Sequence, residues 1–153
     1  MIFVTVGTHH DPFDRLLNAL DALSGSELVV QHGPASPPPG IARAEAFMPF
    51  DAMLKCFREA DAVITHAGVG SILCATREGH VPVVAPRRHD LGEHVDDHQL
   101  ELTRALADRG AVIPVLNMED LPAAVAGVPP RQSHSSAPEP TLCVPVREAL
   151  LSS

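Results

Sequence analysis

The chain has 153 residues, 45% hydrophobic and 20% charged, which fits one globular domain built around a single layered core. Its formal charge of −8, with Lys55 as the only lysine and no arginine cluster beyond Arg87-Arg88, excludes a basic phosphate-backbone binder, so nucleic acid is not an expected partner. The three cysteines, at 56, 74 and 143, form neither a disulfide framework nor a metal-knuckle spacing and fit a reducing cytoplasm.

Ile2 to Val6 reads as a first strand. No basic flank precedes it, so no signal peptide is expected, and no apolar stretch reaches the roughly 20 residues of a membrane span. Pro12 to Leu23 follows as a helix, with Phe13, Leu16, Leu17, Leu20 and Leu23 at helical spacing. Glu27 to Gln31 is a second strand, and the prolines of 36–40 make a loop. Arg43 to Phe47 is a weaker third strand, and Phe50 to Glu59 is a helix capped by Asp51 or the residue before it. Ala62 to Thr65 is a buried strand, Val69 to Glu78 a helix closed by Gly79, and Pro82 to Ala85 the next strand. Val95 to Arg109 is a longer helix stopped by Gly110, followed by a strand at Ala111 to Val115 and a short helix at Asp120 to Ala126. Strands alternating with helices predict an α/β fold with a doubly wound, mostly parallel, six-stranded Rossmann-like sheet over residues 1–126. Residues 127–142 are rich in Pro and Ser and read as a flexible linker, and 143–153 as a terminal helix that docks back on the domain.

Ligands of such sheets bind beyond the carboxyl ends of the strands where strand order reverses, expected here between the first and fourth strands. The first leads into Gly7-Thr8-His9-His10 and the fourth into Thr65-His66-Ala67-Gly68-Val69-Gly70-Ser71. Glycine lets the backbone approach a ligand closely, and the amides and dipole of a following helix favour phosphate. Gly7 alone would be uninformative. Gly68 and Gly70 lack the full G-x-G-x-x-G spacing, and no G-x-x-x-x-G-K-[ST] is present. These residues therefore indicate an anion-ready crevice and no particular ligand.

A second constellation, Gly92-Glu93-His94-Val95-Asp96-Asp97-His98-Gln99, overhangs the same crevice if the fifth strand neighbours the fourth. Asp97, His98 and Gln99 can hydrogen-bond ligand hydroxyls, or form a solvated helix start. His94 and His98 have zinc-pair spacing, but the Glu of H-E-x-x-H and a third ligand are missing, so no metal is expected. Arg87 and Arg88 balance ligand phosphate or sit in solvent. His9 and His10 have only Asp11 as a neighbouring carboxylate, so loop positioning or ligand contact stands beside acid–base chemistry. Cys74 reads as a buried structural thiol.

Met1-Ile2-Phe3-Val4-Thr5-Val6-Gly7-Thr8 with Pro12-Phe13-Asp14-Arg15-Leu16 resembles the start of the glycosyltransferase family 28 C-terminal domain in its stand-alone form. Residues 65–71 with Gly79, Pro82 and Pro86 resemble that family's nucleotide-sugar signature, and Gly92 to Leu100 completes the order. The family includes the transferase that adds N-acetylglucosamine in lipid II synthesis, the small subunit of the dolichol-linked transferase, and small subunits of bacterial exopolysaccharide transferases. The resemblance implies the C-terminal half of a GT-B fold, with a UDP-sugar as substrate and no cofactor. It implies a separate membrane-associated subunit that binds a lipid-linked acceptor, and a cytoplasmic chain held at the inner membrane only through that partner. Gly7, Thr8 and His9 match the first loop, and His66, Gly68, Val69, Gly70 and Ser71 match the loop facing the diphosphate and uridine. His98 and Gln99 match the segment expected near the donor sugar, and Arg87, Glu93, His94 and Asp97 are further candidates for binding the nucleotide-sugar. Relatives commonly carry Glu at the position of Cys74, where it holds the ribose hydroxyls; a thiol is a poor acceptor, and Glu78 one turn on is a possible substitute. Two other readings stand beside the transferase: a non-catalytic assembly or regulatory subunit that keeps the fold, and a UDP-sugar epimerase-like protein, for which the chain is short.

Overall fold

The computed structural model describes residues 1–8, 11–23, 25–91, 93 and 97–130. The proposed terminal helix and most of the proposed linker lie outside the described residues.

Six strands form one parallel sheet: β1 (Ile2–Thr5), β2 (Leu28–Gln31), β3 (Arg43–Glu45), β4 (Ala62–His66), β5 (Val83–Ala85) and β6 (Ile113–Pro114). Their order is β3-β2-β1-β4-β5-β6. The chain winds outward from β1 to one edge, returns to the centre at β4, and winds to the other edge. This is the expected doubly wound, Rossmann-like topology.

Alternation along the strands builds the two faces. Ile2 and Val4 of β1, Leu28 and Val30 of β2, and Ile64 of β4 share one core with helix α1 (Asp14–Ala19) and Leu121 of helix α5 (Leu121–Ala126). Phe3, Val29 and Val63 point the opposite way, towards Cys56 and Phe57 of helix α2 (Phe50–Glu59) and Ala75 of helix α3 (Val69–Arg77). Phe57 meets Phe3 edge to face at 5.1 Å, a favourable aromatic arrangement. Val84 of β5 packs on Ile72 of α3 and Leu106 of helix α4 (His98–Asp108). The central strands are covered on both sides, which is why they read as continuous apolar runs.

Several boundaries differ from the sequence reading. Pro12 and Phe13 precede α1, whose helical pattern ends in a tighter 3-10 turn at Leu20–Leu23. α2 begins after Pro49, with no side-chain cap, so Asp51 lies inside the first turn. α4 begins at His98 after Asp97. The sixth strand is only two residues long, yet its ladder to β5 is regular: Ile113 N–H donates to Pro82 O and Val115 N–H to Val84 O, both at 2.9 Å, while Pro114 stands between them on the sheet edge, where its missing N–H breaks no bond to β5. Among the described residues, no helix is long and apolar enough to cross a membrane.

Candidate functional site

β1 and β4 lie side by side at the point where strand order reverses, and their C-terminal connections form one end of the sheet. Gly7 leaves β1 at φ +78°, a left-handed conformation that costs about 1–2 kcal/mol for a residue with a Cβ. The amide of Gln31, at the end of β2, surrounds this glycine. Its Oε1 accepts the Gly7 N–H at 3.1 Å, and its Nε2 donates to Gly7 O at 3.0 Å. Oε1 also accepts from the Thr5 hydroxyl, and Nε2 also donates to Ala46 O at 2.7 Å.

His66, the last residue of β4, is buried and its imidazole is wedged between two glycines. A Cβ added at Gly7 or Gly68 would fall inside the van der Waals envelope of that ring. A side chain at either position would therefore force the His66 ring to shift, before any ligand is considered. Gly70 differs, because a Cβ there would meet no described residue within 4 Å. It is exposed, in the first turn of α3, where glycine has no packing reason to replace alanine. α3 starts after Gly68 with no side-chain cap, and its first intrahelical bond runs from Ile72 N to Gly68 O at 3.0 Å. The amides of Val69, Gly70 and Ser71 precede that bond at the positive end of the helix.

These elements wall a cleft of about 300 Å³. Gly7, Thr8, His66, Gly68, Gly70 and Ser71 form one side. Phe50, Met53, Leu54 and Phe57 of α2 form the apolar other side, with Cys74 between. Glycines with the polar side chains of Thr8, His66 and Ser71 on one side and the apolar residues of α2 on the other suit an elongated ligand with a polar group at one end and a planar or apolar group at the other.

The segment after β5 is held by a separate network. Arg15 of α1 makes a two-pronged ion pair with Glu93, at 2.9 Å and 3.0 Å, and donates to Pro86 O and Leu116 O. The same carboxylate accepts the Arg88 N–H at 3.1 Å. Arg87 is completely buried, its guanidinium 4.7 Å from the centre of the Phe13 ring. Burial lowers its pKa, against the opposing influence of Glu93 and Asp11. Gln99 Oε1 accepts the Arg87 N–H at 3.0 Å. Arg87 therefore does not sit in solvent as one sequence reading allowed; the flat Phe13 face and the Pro12 carbonyl give its cation a place inside. Arg88 instead pairs with Asp90 at 2.7 Å near the surface.

The family model for the glycosyltransferase family 28 C-terminal domain matches residues 1–138. The chain belongs to this family. The match runs past Ala126, which ends the last described helix. The fold is similar to that of the glycotransferase of kitacinnamycin, with a TM-score of 0.54 and 21% identity, over 98% of this chain and 39% of that one. The family 28 chain thus spans well under half of that glycosyltransferase. No curated protein matches the sequence.

Within the family 28 domain, the residues expected at the donor site fall into two groups. Gly7, Thr8, His66, Gly68, Gly70 and Ser71 line one cleft. Val69 instead packs into the apolar cluster of Ala67, Ile72 and Val84. Arg87, Glu93 and Gln99 brace the β5–α4 connection to α1 and the ends of β5 and β6. Asp97 and His98 are exposed at the start of α4, with His98 3.9 Å from Glu101. His9, His10 and His94 lie outside the described residues, and among the described residues no group of three metal-ligating side chains is assembled.

Cys74 is not the buried structural thiol expected from helical position. It is half-buried on the cleft wall, and burial raises its pKa. Glu78 is buried on the far side of that turn, paired with Arg58 of α2 at 3.3 Å, and does not line the cleft. Sequence reasoning missed Gln31 and the α2 wall. The signal for Gln31 was present: a polar residue ending the otherwise apolar strand Leu28-Val29-Val30-Gln31, where burial demands hydrogen-bond partners.

Proposed function

We propose that this domain binds the nucleotide end of a UDP-sugar and takes part in inverting transfer of that sugar to a lipid-linked acceptor in polysaccharide or glycolipid synthesis. The acceptor would be held by a separate membrane-associated subunit, so that the transferase is active only as the pair and this chain sits at the membrane through its partner. The observation that carries the reading is the cleft at the β1–β4 switch point, with the uncapped start of α3 and the unobstructed Gly70 on one wall. The diphosphate would lie against the first-turn amides of α3, and the uridine would extend towards the apolar face of α2. As the sugar leaves, negative charge grows on the diphosphate, and amides already aimed at that position stabilise it without reorganising. No described residue of the cleft is assigned as general base; in this scheme it comes from the partner.

Titration calorimetry with UDP and a panel of UDP-sugars tests the reading, with ADP and GDP as controls. Binding of uridine nucleotides above the controls is the expected result. Failure of every uridine nucleotide to bind, with or without a candidate partner, removes the donor-domain reading. A second reading, a non-catalytic subunit with a degenerate site, is favoured by one observation: a thiol stands on the cleft wall at Cys74, while Glu78 is turned away to Arg58. Uridine nucleotide binding without transfer in the presence of partner and acceptor would select it.

A further inference from the structure

We infer that Gln31 is the positioning residue of this cleft: one buried side-chain amide sets the spacing between its two walls. The inference rests on the donor-binding reading for its ligand and on hydrogen-bond geometry for its mechanism.

Gln31 is buried, at 1% exposure, and all four of its hydrogen-bonding directions are used. Towards β1, its amide takes both the N–H and the C=O of Gly7. Gly7 therefore has no polar backbone group left to offer a phosphate, and the first amide of that loop that can face the cleft belongs to Thr8. Towards β3, the same amide donates to Ala46 O, which also accepts Gly33 N–H at 2.8 Å. Ala46 immediately precedes the segment 47–50 that leads into α2, and Phe50 begins the opposite wall of the cleft. Gln31 thus ties the Gly7 turn to the start of α2 across the end of the sheet.

A hydrophobic residue would fill the same volume but take the amide partner from Gly7 O, leave the Gly7 N–H with only Thr5 Oγ1 at 3.3 Å, and leave Ala46 O held by Gly33 N–H alone, so the link between the two loops is lost. A carboxylate would answer the Gly7 N–H and the Thr5 hydroxyl, yet face the carbonyls of Gly7 and Ala46 with no proton to give. Protonated, it could donate to one of them. This asymmetry makes the role of Gln31 separable from bulk stability.

The test compares wild type, Gln31→Leu and Gln31→Glu, each confirmed folded by circular dichroism well below its melting temperature. Two measurements are made: UDP affinity across pH 5 to 8, and amide hydrogen exchange at Gly7 and residues 46–50. Gln31→Leu is expected to bind UDP on the order of tenfold more weakly at every pH. Gln31→Glu is expected to be similarly weak at pH 8 and to recover relative to wild type as pH falls and its carboxyl gains a proton. Exchange should quicken at both loops in Gln31→Leu. Wild-type affinity in folded Gln31→Leu, or a Gln31→Glu affinity that does not change with pH relative to wild type, overturns the positioning role. If wild type itself binds no uridine nucleotide, the donor reading fails and exchange alone decides: unchanged protection at Gly7 and 46–50 overturns the bracket, and quickened exchange at both upholds it.

Discussion

Replacing Gly70 with alanine separates what the fold needs from what the ligand needs. The site is exposed, at negative φ and with no described residue within 4 Å of an added Cβ, so the described fold accommodates the methyl group without strain. Glycine in a helix is less favourable than alanine by about 0.5–1 kcal/mol, because more backbone entropy is lost on folding. In the first turn the lower end applies, and a gain of about 0.5 kcal/mol raises the melting temperature by about 1–2 °C. The methyl group would stand on the cleft wall next to the first-turn amides of α3. If a diphosphate lies there, overpacking costs about 1–3 kcal/mol, or roughly 5- to 150-fold in affinity. The assay is differential scanning fluorimetry for stability beside titration calorimetry with UDP. A variant that is more stable yet binds UDP as tightly as wild type would refute close approach of the ligand to Gly70.

Gly68→Ala should behave in the opposite way and destabilise the free protein by about 1–3 kcal/mol, since its Cβ displaces the buried His66 ring; chemical denaturation without ligand reads this directly. Arg15→Met should cost about 2–3 kcal/mol in urea unfolding, because Glu93 keeps a half-buried charge without its cation. Adding Glu93→Gln to that variant should return part of the loss, and no recovery would argue against the pair as its cause. Cys74→Glu should tighten UDP binding about tenfold by calorimetry if the ribose lies against that wall, and unchanged affinity would place the ribose elsewhere. Burial raises the Cys74 pKa, and the thiolate is the nucleophile, so alkylation at pH 8 should be slower than for a free thiol and quicken as pH rises towards 10. Saturating UDP should protect Cys74 from iodoacetamide, read by mass spectrometry; equal labelling with and without UDP would place the nucleotide away from it.

Much of the architecture was legible because its causes are local. Val83, Val84 and Ala85 read as a strand from their own apolar run, and the first helix from the spacing of Leu16, Leu17, Leu20 and Leu23, without reference to any distant residue. The strand–helix alternation then predicted a doubly wound, mostly parallel sheet with its crevice between the first and fourth strands, and the observed order reverses there. The two glycine loops, and the family resemblance they carry, were visible at the same level.

What each site residue touches was not legible, because those contacts join segments far apart in the chain. Gln31 meets Gly7 from 24 residues away, and Arg15 meets Glu93 from 78. Sequence position could say that Gly68 and Gly70 lie in one turn. Only the packed sheet shows that a Cβ at the first of them would collide with the His66 ring, whereas a Cβ at the second meets no described residue. Likewise, Arg87 and Arg88 are adjacent in sequence, yet one is buried on Phe13 and the other faces Asp90 near the surface, because the chain turns between them at the end of β5. Periodicity and composition determined the elements and their order. The choice of partners was left to tertiary structure, since a side chain's hydrogen bonds and burial depend on which distant surfaces the finished sheet brings against it.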